Sequence, residues 1–212
     1  MPKYMGQGLA EKLGELAGLA PEDQEVVAYG LEYLLSSTIG VVQTLLAGLL
    51  LGLFRETLAV LLCWGMLRPF AGGTHCTALW RCTVLSCMGI LTVALAAKGA
   101  VSLVPATAWV AFCTAWALLA VWLWAPNNSA RKIRDSQRRR RLRRRALALV
   151  LFFGIFLFYL ALRGTTHIQA LAVAGVMGLA AGAFMLSPAG FRLMAWSDKK
   201  LELMQQKFAQ RR

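Results

Sequence analysis

Five long apolar stretches alternate along the chain with short polar or basic segments: Thr38 to Phe54, Cys82 to Ala97, Gly99 to Ala125, Ala146 to Leu162 and Ile168 to Phe191. Each is close to or above the roughly 17 mostly apolar residues that a membrane-spanning helix needs. A sixth run, Thr57 to Leu67, has eleven residues and as a helix reaches only about 16 Å. Arg55 and Glu56 separate it from the first span. It reads as a tight return crossing whose ends snorkel to the interface; the alternative is a half-membrane segment that stops at Pro69. The pattern predicts an all-α polytopic membrane protein with about six transmembrane helices, one of them short.

The flanks carry a different period. Leu9, Leu13 and Leu16 recur at helical spacing, and Pro21 followed by Glu22, Asp23 and Glu25 has the form of a helix start. Residues 1–36 are therefore expected as amphipathic cytoplasmic helices. The stretch from Arg192 to Arg212 sets Leu193, Met194, Leu201, Met204 and Phe208 against several Lys and Arg, and predicts a C-terminal amphipathic helix on the membrane surface. Neither terminus looks catalytic. The whole chain, 1–212, reads as a single integral membrane domain, with a polar segment at 68–82 and a polybasic loop at 126–145. The first apolar run begins too late for a cleavable signal peptide, so the N-terminus is expected to be kept.

Composition agrees: 58% of the 212 residues are hydrophobic and the mean hydropathy is +0.57, far above an ordinary soluble domain. Charge adds direction. Arg131 to Arg145 carries ten Lys or Arg against one acid, while the first 35 residues hold six acids and two Lys. Because basic residues near span ends stay on the cytoplasmic side, the run is expected inside. Two spans on, Lys199, Lys200, Lys207, Arg211 and Arg212 return to that side; two spans back, so does the segment from Arg68 to Arg81. The run lacks interleaved aromatics and any recognisable binding module, so no nucleic-acid partner is expected. Anionic lipid is one contact expected for Arg138, Arg139, Arg140 and Arg141. The five cysteines form no C-x-x-C pair, and the two histidines fall on opposite expected sides; neither a metal nor another cofactor is expected.

The reactive side chains outside the arginine run gather in LRPFAGGTHCTALWRC, from Leu67 to Cys82. An ionisable patch between apolar runs is a functional-site candidate by default. His75 as base and Cys82 as nucleophile stand seven residues apart, which in one straight helix is about 10.5 Å along the axis. Proton transfer needs roughly 2.6–3.2 Å or one bridging water. The pairing therefore requires a break between Gly72 and about Thr77, with Cys82 in the first turn of the next helix, or a second subunit supplying the imidazole. Pro69 and Gly72-Gly73 are suited to such a break. A helix N-terminus and a nearby Arg81 or Arg68 would favour the thiolate. Cys63, Cys87 and Cys113 read as buried small hydrophobes, His167 as a loop residue, and Cys76, pointing away from its neighbour His75, as a minor rival nucleophile.

The string Arg68-Pro-Phe-Ala-Gly-Gly-Thr-His75 followed by Cys82 resembles the signature of the accessory gene regulator B (AgrB) family, the membrane endopeptidases that process quorum-sensing propeptides. Tyr29-Gly-Leu-Glu-Tyr-Leu-Leu35 and Trp124-Ala-Pro-Asn127 are similar to further family stretches, so the likeness covers most of the chain in order. Two departures stand out: Cys76 where the family typically has alanine, and an arginine-denser basic loop. The resemblance implies a cysteine endopeptidase in the cell membrane, multi-pass, its site facing the cytoplasm. It would remove the acidic C-terminal tail of an AgrD-like propeptide through a thioester on Cys82 and promote thiolactone or lactone closure. It also implies a homodimer. Gly72, Gly73, Arg68 and Glu32 become candidates for oxyanion or substrate binding, and Arg138 to Arg141 for contact with the acidic tail as well as with lipid. The rival class is a membrane transporter or peptide-binding protein without covalent chemistry.

Overall fold

A computed structural model describes residues 21–74, 76–128 and 135–210, with some side chains left out near the ends of these stretches. His75, the leucines upstream of Pro21, and Arg131 to Arg134 lie outside the described residues, as does the side chain of Glu32. The order is α1 (Pro21–Leu50), α2 (Phe54–Ala71), β1 (Gly72–Gly73), α3 (Leu79–Ala100), α4 (Ala106–Trp124), β2 (Asn127–Asn128), α5 (Ser136–Arg163), α6 (Thr166–Phe184) and α7 (Pro188–Gln210). The chain divides into two units, Met1–Gln43 and Thr44–Arg212. The described part of the first, from Pro21 on, is helix. The rest concerns the second.

At the end of α1 the Leu53 N–H donates to the Gly48 carbonyl at 2.8 Å and the Gly52 N–H to that of Leu49 at 3.1 Å. With Gly52 at φ +66, this is the paired Schellman pattern that ends a helix on a left-handed residue. It turns the chain straight into α2. That helix has 18 residues rather than the eleven of the apolar run, because Arg55 and Glu56 form its first turn and Pro69 is carried inside its last. At about 27 Å it is not a half-membrane segment stopped at Pro69.

Around it the bundle closes on small residues. α6 packs against α2, α3, α4 and α5, burying Ala172, Ala174, Gly175, Gly178, Gly182 and Ala183. A Cβ placed on Gly178 would stand 2.7 Å from the Val60 carbonyl oxygen, so these two backbones touch, as small residues allow in membrane helices. Val60, Trp64 and Leu67 of α2 fill the same core, and the Trp116 indole N–H of α4 donates to the Ala180 carbonyl at 3.3 Å. On the outside, α5 exposes Leu151, Phe152, Ile155, Phe156, Tyr159 and Leu162. An apolar face of that extent belongs in lipid. Five helices are long and apolar enough to cross a membrane: Val26–Leu50, Trp80–Ala100, Ala106–Trp124, Ser136–Arg163 and Thr166–Phe184. α2, with three charged residues at its ends, buries Thr57, Val60, Cys63, Trp64, Leu67 and Ala71 in the core and exposes Phe54, Leu62 and Met66 on its other side.

Two expected boundaries move. The run ending at Phe191 is two helices: α6 stops at Phe184 and α7 starts at Pro188. The signal is Ser187-Pro188, with the Ser187 hydroxyl capping the Gly190 N–H at 3.1 Å and proline in the first helical position. The polybasic stretch is not a loop from Ser136 onward. Asp135 caps α5 by accepting from the Gln137 N–H at 2.8 Å, and arginine is a good helix former, so Arg138 to Arg145 make the first turns of α5.

Candidate active site

The segment between α2 and α3 is built by three local events. α2 ends where Gly72 takes φ +82 and donates its N–H to the Arg68 carbonyl. Gly72 and Gly73 then pair in parallel with Asn127 and Asn128. A Cβ on Gly72 would lie 2.4 Å from the Asn127 carbonyl oxygen, so both the dihedral and the contact demand glycine. The strand it meets is itself held: the Asn127 side-chain amide donates to the Leu186 carbonyl at 3.0 Å, and Arg143 Nε to that of Ala125 at 2.8 Å. Helix resumes at Leu79, after Thr77 and Ala78.

This is the interruption that the spacing required. Cys82 lies in the first turn of α3, its N–H bonded to the Ala78 carbonyl at 3.2 Å. The position of the imidazole is outside the described residues. Engagement of the Gly72 N–H with Arg68 removes that amide from the candidate oxyanion donors. Arg68 itself stands over Gly73, its guanidinium carbon 3.8 Å from where a Cβ would be. Its buried Nη2 has no hydrogen-bond partner among the described residues, nor has the hydroxyl of Thr74, a residue only 2% exposed.

The Cys76 side chain faces the start of α3 and α7. Its thiol is in hydrogen-bonding contact with Cys82 and lies 3.6 Å from the Met194 sulfur of α7. The bond to Cys82 comes first in pushing the Cys76 thiol well above the usual range; burial and the charges of Cys82 and Asp198 add to it, against the pull of Arg81.

A second cluster was not visible in the sequence reading. Asp198 of α7 accepts from the Thr77 N–H at 3.0 Å and the Thr77 hydroxyl at 2.8 Å through one oxygen. Arg81 Nε stands 2.9 Å from the other oxygen. That contact is Coulombic rather than a directed hydrogen bond, since neither atom meets the angular requirement for one. Arg81 Nη2 also donates to the Thr77 hydroxyl, and Nη1 lies 4.0 Å from Glu202. The Arg81 and Asp198 side chains are 7% and 9% exposed. Burial pushes the Asp198 carboxyl upward, but the Thr77 amide and hydroxyl and the Arg81 charge outweigh it and hold it below the usual carboxylate range. Arg81 is thus a buried ion-pair partner rather than a free interfacial anchor. A readable signal existed: Met194, Asp198 and Glu202 recur every fourth residue, which sets an acid on the face of α7 that turns inward. Beside the cluster an open cleft of about 370 Å³ is lined by Ala78, Trp80, Arg81, Glu202, Gln205 and Gln206.

Arg138 to Arg141 are not gathered at this site; they are exposed on α5, and Arg141 bonds its own helix at Gln137, 3.3 Å away.

A family model described as Accessory gene regulator B matches residues 7–186. Putative AgrB-like protein 2 of Clostridium perfringens (strain 13 / Type A) is 30% identical over 88 residues, which cover 39% of this chain and 41% of that protein. The chain thus matches less than half the length of that relative. No solved structure gives a significant match.

Proposed function

Because the chain belongs to the accessory gene regulator B family, we propose that it is a membrane cysteine endopeptidase that removes the C-terminal tail of an AgrD-like propeptide, with Cys82 as nucleophile and His75 as base. The observation that carries this reading is the helical interruption from Gly72 to Ala78, which leaves Cys82 in the first turn of α3 a few residues beyond His75. There the thiolate gains from the positive end of the macrodipole. The Cys76 thiol, pushed above its usual range by its contact with Cys82 and by burial and donating to Met194, favours Cys82 as the attacking sulfur.

In the reaction, His75 takes the Cys82 proton and the thiolate attacks the carbonyl carbon at the tail junction. The carbon–nitrogen bond then breaks, the imidazolium returns the proton to the leaving nitrogen, and the tail departs with a free amino group. A thioester to Cys82 is left behind. The propeptide's internal cysteine or serine gives its proton to the now neutral His75 and attacks that thioester, a new carbon–sulfur or carbon–oxygen bond closes the ring as the bond to Cys82 breaks, and the departing Cys82 thiolate takes the proton back from the imidazolium. Thioester-to-thioester exchange keeps the acyl group activated, provided water is excluded. Arg68, with its buried unpartnered nitrogen over Gly73, would bind a carboxylate or the oxyanion; the Gly73 amide and those at the start of α3 would be further donors. Arg138 to Arg141 would meet anionic lipid or the acidic tail at the cytoplasmic face, and the working unit would be a homodimer.

The test is incubation of the detergent-purified protein with an AgrD-like propeptide that carries an internal cysteine or serine and an acidic C-terminal tail. Tail release should appear with the wild type and vanish in Cys82→Ala and His75→Ala, both still inserted in membranes. Release that persists in Cys82→Ala rules the assignment out, and binding without release by the wild type returns the protein to the transporter or binding class.

A further inference from the structure

We propose that Asp198 is the positioning residue of this site: from α7 it anchors the non-helical link that joins His75 to the helix carrying Cys82. The inference rests on the reading of Cys82 as nucleophile. The N-cap residue of α3, Ala78, offers no side-chain cap, so the helix end that holds the thiol has no capping group of its own. Asp198 brings one from a different helix. One carboxylate oxygen binds both the amide and the hydroxyl of Thr77, and the other faces the Arg81 guanidinium one turn on. An acceptor and a negative charge are what a helix start favours.

The link is held at both of its ends. Pairing of Gly72 and Gly73 with Asn127 and Asn128 fixes one, and Asp198 on Thr77 fixes the other. Thr74, His75 and Cys76 are the only residues between. A base that must approach the thiol within hydrogen-bond distance depends on how the residues on either side of it are anchored. The clamp is separate from the packing of the bundle. α7 makes its main contacts with α3, and none of its described residues belongs to the buried apolar core, which is built by α2 to α6. Loss of Asp198 therefore loosens the link without dismantling the core.

The experiment measures kcat and KM for tail release by wild type, Cys82→Ala, Asp198→Ala, Asp198→Glu, Thr77→Val, Thr77→Ser and the Asp198→Ala/Thr77→Val double variant. Asp198→Ala should lose about 10²-fold in kcat, the scale of a misplaced reacting group, with KM changed by less than about threefold. Thr77→Val should lose at least about tenfold, Thr77→Ser should stay near wild type, and Asp198→Glu should recover part of the loss. The double variant should be no worse than Asp198→Ala, because both substitutions cut one interaction. Equal kcat in wild type, Asp198→Ala and Thr77→Val overturns the proposal, as do fully additive losses. If Asp198→Ala fails to fold, the Thr77→Val and Thr77→Ser pair decides by the same criterion. Wild-type release that does not depend on Cys82 instead removes the proposed function, and this inference with it.

Discussion

The Asp198 carboxylate, on the last helix, accepts the Thr77 amide at 3.0 Å and the Thr77 hydroxyl at 2.8 Å, so residues 121 positions apart hold one end of the segment that interrupts two helices. The pair sets a pH dependence. A carboxyl whose folded pKa is depressed adds stability above its unfolded pKa, about 3.9, and loses that stability as pH falls through the folded value. Asp198→Asn, which leaves the buried Arg81 without its counter-charge, should destabilise the protein at neutral pH by about 3 kcal/mol. Its deficit against wild type should shrink once the pH drops below about 4. Denaturation curves of both proteins in detergent at neutral and acid pH check this.

Cys76 should be dispensable. Its thiol donates to the Met194 sulfur at 3.6 Å and lies against Cys82, so it is a neighbour of the nucleophile rather than a reacting group. Cys76→Ala should keep tail release within about threefold.

Gly72→Ala should be severe. The substitution forces φ +82 on an L-residue and sets its Cβ 2.4 Å from the Asn127 carbonyl oxygen, a strain on the order of 1–3 kcal/mol or more. Thermal unfolding should show this loss, and tail release should fall by at least about tenfold as the β1–β2 pairing opens.

Arg138 to Arg141, exposed on α5, should serve lipid first. Replacing all four by glutamine should weaken association with anionic membranes by about 1 kcal/mol per charge. Tail release in neutral detergent should change by less than about threefold; a larger fall assigns them to the acidic tail.

The spans were legible because hydrocarbon demands long apolar runs, and the break before Cys82 was legible because a straight helix could not serve the chemistry. Other features were hidden for specific reasons. Hydropathy under-read α2, since Arg55, Glu56 and Arg68 occupy its ends while its middle is buried in the core. The helical start of α5 looked like a loop because ten basic charges mask the cap supplied by Asp135. Apolar continuity from Ile168 to Phe191 concealed Ser187-Pro188, a start signal that composition averages away. Asp198 was missed because its meaning depends on Thr77 and Arg81, more than a hundred residues earlier, and no local pattern states that contact.

The most direct test is intact-mass analysis of protein quenched with acid during turnover of the propeptide. The account predicts an adduct equal to the tail-less propeptide minus water, located on Cys82 and released by hydroxylamine. It should be present in Cys76→Ala and absent in Cys82→Ala. Tail release by Cys82→Ala, or an adduct mapped to Cys76, would contradict it.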